Sequence, residues 1–370
     1  VENIDDDRIA VKAKVEDALK VLMRQMLVQK NGSLYVFLTD EEQEINREID
    51  SQNVEMAEVI NKVSEMIYED IFTDKKYRYP AFNGRYSFGF NQAVDDRPYK
   101  ANQSYDVGLR ILTPWYEGGN DETTLRMMSG QGREVLIVLP NDAAFLDEIR
   151  QYLKIEKFLR LNTSTQLAKY ETIKEAKRVE MRERNANAKL YLTESLKDAT
   201  IYVNGDTVKT SAKEVTGRIN EAISRLVQTV YNKLSYIDAA MGEAEIRKMF
   251  HSTNQLTLGL ETTSEANAHA LDDVLAFIAQ NSHMHMKTSM KTVKDRFMKA
   301  PYGFVEDDVH WLVARLFKRG DLAFTVNGAS VNQNNKTEEE LISFITKKSF
   351  VEKLLMEERI RVPEKDKKAV

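Results

Sequence analysis

The chain has 370 residues, 42% hydrophobic and 30% charged, with 53 Lys and Arg against 58 Asp and Glu for a net charge of −5. Such a length predicts two to four packed units, the composition is neither disordered nor fibrous, and the acidic balance gives no global drive toward nucleic acid, so any such contact must be local. The absence of Cys excludes disulfides, thiol catalysis and thiolate metal sites, while no apolar run approaches the ~18 residues of a membrane helix; a cytoplasmic protein with no membrane partner is expected.

The opening VENIDDDR starts at Val1 and reads as the interior of a longer gene product. Ile9, Val11, Val15, Leu19, Leu22, Met23 and Met26 recur at mostly three- and four-residue spacing, which predicts a buried helix over 7–27. It runs into LVQKNGSLYVFL, where Asn31-Gly32 signals a two-residue hairpin. A helix feeding a hairpin is how a winged-helix unit ends. Thr39 with Glu42 forms a capping box for the next helix, and a further helix is expected over 53–71.

From 76 to 113 the chain turns aromatic and β-branched, with a second Asn-Gly pair at Asn83-Gly84, and predicts sheet. REVLIVLP at 133–140 reads as a strand buried on both faces, and the segment after it as a helix packed beside it. Residues 163–198 are nearly all polar helix formers, predicting a long exposed helix with a short coiled-coil partner. TIYVNGDTVKT is a third Asn-Gly hairpin, and the stripe Val215, Ile219, Ile223, Leu226, Val230 and Leu234 predicts a helix packing back on the long one. Helix 289–299, the turn KAPYGF, helix 306–318, Gly320, LAFTV and Asn327-Gly328 follow the order of a winged helix. Thr337 opens a helix expected to run over 337–359.

The expected class is α+β: helix-rich and multidomain, a small mixed α/β domain followed by long helices with a β-hairpin and a C-terminal winged helix. The divisions are 1–52 (end of a winged-helix unit and connecting helix), 53–160 (mixed α/β domain), 161–250 (long helices with hairpin) and 251–362 (helical region with a winged helix at about 289–332 and a C-terminal helix).

None of the 15 glycines is followed by Lys, so no nucleotide loop is present, and Ser129-Gly130-Gln131-Gly132-Arg133 precedes a strand as an ordinary turn would. The pair His283 and His285 lacks a third ligand at metal spacing, and a hydrolase built on the Asn141-Asp142 strand exit lacks a second acidic or histidine cluster. No catalytic residue, cofactor site or metal site is therefore expected. In the winged helix, Glu306-Asp307-Asp308 place three carboxylates where a groove-reading helix would face phosphate. The candidate contact residues for DNA or a partner are Lys287, Lys291, Lys294, Arg296, Lys299, Lys318 and Arg319, on the preceding helix and following turn. A second basic surface on the long helix, including Lys174, Arg178 and Arg184, has a solvated face as its simpler reading.

The strings NGSLYVFLTDEEQEINREI, KYRYPAFNGRYSFGFNQAVDDRPY, DETTLRMMSGQGREVLIVLP and DEIRQYLKIEKFLR resemble the central region of the BrxC family, the large P-loop ATPases of BREX phage-resistance systems. The PYGF and LVARLFKRGDLAFTVNG strings also resemble the winged-helix part of the related PglY-type ATPases. The resemblance implies an ATP- and Mg-binding module upstream, with none of its nucleotide-binding residues transferable to a position here. It further implies a phage-defence assembly with a methyltransferase and a PglZ-type protein as partners. The functional expectation is a non-catalytic scaffold coupling that module to partner proteins or DNA. The rival expectation is a module binding DNA backbone nonspecifically through the winged helix, and self-association into a homo-oligomer is a further partner expectation.

Overall fold

A computed structural model of the chain describes residues 8–31, 34–119, 121–161, 171–251 and 265–359. Helix α1 (Arg8–Arg24) leads into strands β1 (Val28–Asn31) and β2 (Leu34–Phe37). They pair antiparallel with Asn31 opposite Leu34, and the Asn31-Gly32 turn expected between them falls on Gly32, outside the described residues. The expectation that α1 is buried is overturned. It buries no residue: Ile9, Val15 and Val21 are exposed, as are Leu34 and Phe37 of β2. Periodicity predicts a helix with an apolar face but cannot supply the surface that covers it.

Helix α2 (Asp40–Asp50) has the expected capping box: the Glu42 amide donates to Thr39 Oγ1 at 3.2 Å and the Thr39 amide to Glu42 Oε2 at 2.8 Å. Its Ile45 and Ile49 pack on Ile155 and Phe158. Helix α3 (Met56–Glu65) continues as a wider turn over Met66–Ile71, the two together filling most of the span expected as one helix over 53–71.

Then follow β3 (Lys76–Arg78), β4 (Ser87–Gly89), β5 (Asn91–Val94), β6 (Arg97–Pro98), β7 (Gly108–Leu112), α4 (Glu122–Gln131), β8 (Glu134–Val138), α5 (Ala144–Leu161), α6 (Glu171–Asp198), β9 (Thr200–Val203), β10 (Asp206–Thr207) and α7 (Val215–Val230). Strands β3 and β4 form their own ribbon, while a six-stranded sheet has the order β10-β9-β8-β7-β5-β6, parallel only across β5, β7 and β8. The boundary expected at 160 is therefore wrong. Strand β8 has Val135, Leu136 and Ile137 buried and needs a hydrogen-bonded neighbour on each edge. One edge takes β7, and the other takes β9, which the chain reaches only after the helical excursion through α5 and α6.

That excursion also revises the exposed long helix. Helix α6 packs against α5, Arg184 donating to Glu148 at 3.0 Å, and even Lys174 and Lys177 are buried. Helix α7 packs on the end of α6 as expected and also lies on β8 and β9. One sheet face joins Leu109, Ile111, Val135, Ile137 and Ile201 to the main core; the other holds Leu112, Leu136 and Tyr202 under Leu125 of α4.

The C-terminal unit contains α8 (Glu243–His251), α9 (Ala268–His283), β11 (Thr288–Ser289), α10 (Met290–Phe297), α11 (Glu306–Arg319), β12 (Leu322–Val326), β13 (Ala329–Val331), α12 (Glu338–Thr346) and β14 (Leu354–Glu358). The antiparallel order β11-β14-β12-β13 places the last strand inside the sheet. The winged helix thus extends from α9 to β14 rather than over 289–332. The helix expected over 337–359 stops at Thr346, since Leu354 and Met356 alternate into the core from a central strand. Two Asn-Gly readings hold as hairpin turns with both residues left-handed: Asn204-Gly205 (φ 52° and 85°) and Asn327-Gly328 (φ 51° and 80°).

At the start of α12 the Glu340 side chain accepts from the Thr337 backbone amide at 2.9 Å, which with Lys336 holds its carboxyl down at about 2. A folded-state pKa below the unfolded one stabilises above the unfolded value and is lost as pH falls toward 2. A carbon-detected NMR titration should therefore find the Glu340 midpoint near 2. A midpoint in the ordinary carboxylate range would rule this cap out.

Candidate interaction interface

The seven predicted basic residues do not form an open positive face. Lys291 pairs with Glu352 at 2.7 Å, Lys294 with Glu306, and Arg319 with Glu265 at 2.7 Å and Asp321 at 2.5 Å. Arg296 lies over the Tyr302 ring at 5.5 Å and Lys318 over Phe250 at 5.8 Å. Lys287 and Lys299 are exposed, one before β11 and one after α10. Among the three carboxylates opening α11, Glu306 is held below the usual range by Lys294, Asp307 is exposed and Asp308 is fully buried. The paired cations leave little net charge for phosphate to meet.

The position of α11 is the larger departure from a DNA reader. From Asp308 to Phe317 every residue except Arg315 is buried, including His310, Trp311 and Ala314 on the sides away from the Val309-Leu312-Val313-Leu316 stripe. Helices α8, α9, α10 and α12 and strand β12 surround it. A helix that enters a major groove must offer a solvent face. Here α11 offers only the partly exposed Arg315, paired with Glu265, between its terminal turns, and burial pulls the His310 pKa down.

Its N-terminus is clamped to the preceding unit. The loop between β3 and β4 turns through three left-handed residues, Phe82, Asn83 and Gly84 (φ 55°, 54° and 72°), and directs Arg85 and Tyr86 toward α11. Arg85 Nη2 donates to Asp308 Oδ1 at 2.8 Å and also to the Met241 carbonyl, and the Tyr86 hydroxyl donates to Asp308 Oδ2 at 2.7 Å. Burial pushes the Asp308 carboxyl up against the pull of Tyr86 and Arg85. Burial, then the neighbouring carboxylate, pushes the Tyr86 hydroxyl far up, so it stays a donor.

The turn before α11 is seated on the same ribbon. Gly303 sits at φ 69° against Phe88 and Tyr231, which stack with centroids 4.2 Å apart. Asp106 accepts from the Ala300 amide at 3.0 Å and from the Tyr231 hydroxyl at 3.3 Å. The Tyr302 hydroxyl donates to Asp273 at 2.8 Å, and Lys233 pairs with the same carboxylate at 2.5 Å. Arg85, Tyr86 and Asp106 are absent from the residues singled out in the sequence. Their only local signal is the aromatic density of NGRYSFGF, which predicts packing but not the partner.

The remaining candidates have structural roles. Ser129 to Gln131 end α4, Gly132 caps it, and Ser129 Oγ accepts from the Gly205 amide at 3.1 Å. Asp142 accepts from the Ala144 amide at 3.0 Å and opens α5. His283 contacts Glu358 at 3.5 Å, and no group of three His, Cys, Asp or Glu among the described residues could hold a metal ion. No described helix is long and apolar enough to cross a membrane.

The architecture defines a winged-helix protein whose central helix is clamped to the β3–β4 ribbon of a unit that also carries a mixed six-stranded sheet. Residues 52–226 match the family model for the BREX ATP-binding protein BrxC 4th domain with six-stranded beta sheet, and residues 231–360 match that for the BrxC winged helix-turn-helix domain. The chain belongs to the BrxC family of BREX proteins. The two matches meet just where α7 ends, which assigns the β9–β10 hairpin to the sheet domain. No solved structure matches the chain.

Proposed function

We propose that this chain is a non-catalytic scaffold and coupling segment of a BREX ATPase in the cytoplasm. It links an ATP- and Mg-binding module elsewhere in the protein to partner proteins such as the methyltransferase and the PglZ-type protein. The observation that carries this reading is α11, buried from Asp308 to Phe317 except at Arg315 and clamped at Asp308. A winged helix held this way moves with the sheet domain and transmits displacement through packed elements, which suits coupling better than sequence reading. The rival, DNA binding through the winged helix, loses support because five of its seven candidate cations already face a carboxylate or a ring.

The purified chain mixed with ATP and magnesium should show no turnover above buffer, while an immobilised copy should retain a purified BREX partner. Robust hydrolysis would sink the non-catalytic reading, and retention of neither partner would sink the scaffold reading. In the same preparation Lys291→Glu with Arg296→Glu should leave any DNA affinity unchanged. A large loss in that variant would restore the rival.

A further inference from the structure

A groove of about 660 Å³ opens beside β3, lined by Lys76 and Arg78 together with Thr73, Asp74, Ser87 and Asn220. We propose that it is a binding site for the phosphate backbone of a nucleic-acid strand, separate from the winged helix.

Strand β3 is an edge strand, paired only with β4, and its exposure alternates: Tyr77 is buried, so Lys76 and Arg78 both project to the solvent side. Two residues along a strand place them about 6.6 Å apart, so each cation can meet a different phosphate of one chain. Neither makes an ion pair with a described residue, in contrast to Lys291, Lys294 and Arg319 of the winged helix. Ser87, opposite Arg78 in the ribbon register, adds a hydroxyl donor to the same wall. Asp74, the one acid in the lining, accepts from the Asn220 amide at 3.1 Å, and the neighbouring Lys75 pairs with Glu69 at 3.4 Å. In a chain of net charge −5 this concentrates uncommitted positive charge in one concavity. The lining is polar, with the Tyr77 ring turned into the core, so it offers no apolar pocket for a protein side chain to anchor in. Charge and hydroxyl donors without apolar anchors suit a backbone recognised by counterion release.

The test is fluorescence anisotropy of a labelled oligothymidylate with the intact chain, titrated between about 50 and 200 mM salt. Binding is expected to weaken steeply with salt, to fall at least about tenfold in Lys76→Glu with Arg78→Glu, and to lose about 1.4 from the log–log salt slope through two contacts. Lys291→Glu with Arg296→Glu should bind as the parent does. Thermal melting must match between the variants; if charge reversal disturbs the fold, Lys76→Gln with Arg78→Gln carries the same comparison. No binding at the lowest salt, or equal affinity in the β3 variant, overturns the proposal. Displacement by polyglutamate or tripolyphosphate as effective as by unlabelled DNA also overturns it, in favour of an acidic peptide or a short phosphate. No residue of α11 lines the groove, so failure here leaves the scaffold reading standing.

Discussion

Asp308→Ala should destabilise the chain by about 3 kcal/mol, measured as a fall in the urea midpoint at unchanged slope. The carboxylate is fully buried and bound by both Arg85 and Tyr86, so truncation leaves a guanidinium and a hydroxyl facing a void. Removing one partner of a buried pair costs about 3–5 kcal/mol, and the quarter exposure of the Arg85 side chain sets the lower end of that range. Tyr86→Phe removes one hydrogen bond and should cost about 1 kcal/mol. A double-mutant cycle between Asp308→Ala and Arg85→Ala should give a coupling of at least about 1 kcal/mol, because the residues share the contact directly. Losses within about 0.5 kcal/mol, the range of ordinary surface substitutions, would mean the clamp is incidental. Opening it should not create duplex affinity, since α11 stays surrounded by α8, α9, α10 and α12. A gain of specific duplex binding would show instead that the clamp conceals a reader.

Gly303→Ala should cost about 2–5 kcal/mol. Its φ of 69° penalises any Cβ by about 1–2 kcal/mol. The added carbon would also lie 2.7 Å from the Tyr231 ring and 2.8 Å from Phe88, and such overpacking costs about 1–3 kcal/mol. Gly328→Ala is the matched control: its φ is 80° but nothing lies within 4 Å, so only the backbone penalty of about 1–2 kcal/mol applies. The difference between the two variants measures how firmly the turn before α11 is seated on the β3–β4 ribbon. Near-UV circular dichroism should register loss of the Phe88–Tyr231 stack in Gly303→Ala alone. Equal costs at both positions would refute a tight seat.

Elements governed by short-range chemistry were legible along the chain. Thr39 with Glu42 and Thr337 with Glu340 open helices because a hydroxyl and a carboxylate three residues apart satisfy each other's orphan amides. Asn204-Gly205 and Asn327-Gly328 close two-residue hairpins because both residues tolerate positive φ. The same dipeptide at Asn83-Gly84 is also left-handed, yet it sits in a longer loop that aims Arg85, since turn chemistry specifies a local bend and not how many residues surround it. Neutralisation of Lys291 and Lys294 was beyond reading, because Glu352 and Glu306 lie 61 and 12 positions away.

By itself the sequence determined the class of the protein: helix-rich α+β with a winged helix, no nucleotide loop, and strings carrying the BrxC resemblance that both family models bear out. Propensity, periodicity and capping act within a few residues and survive without a partner. Only the tertiary structure decided that β14 completes the winged-helix sheet, that β9 and β10 belong to the sheet domain, that α1 lies open and that α11 is buried from Asp308 to Phe317 except at Arg315. Those outcomes depend on which surface meets which across long chain separations, as Asp308 meets Tyr86 over 222 positions, and an acidic residue looks the same in sequence whether it will face solvent or a buried arginine.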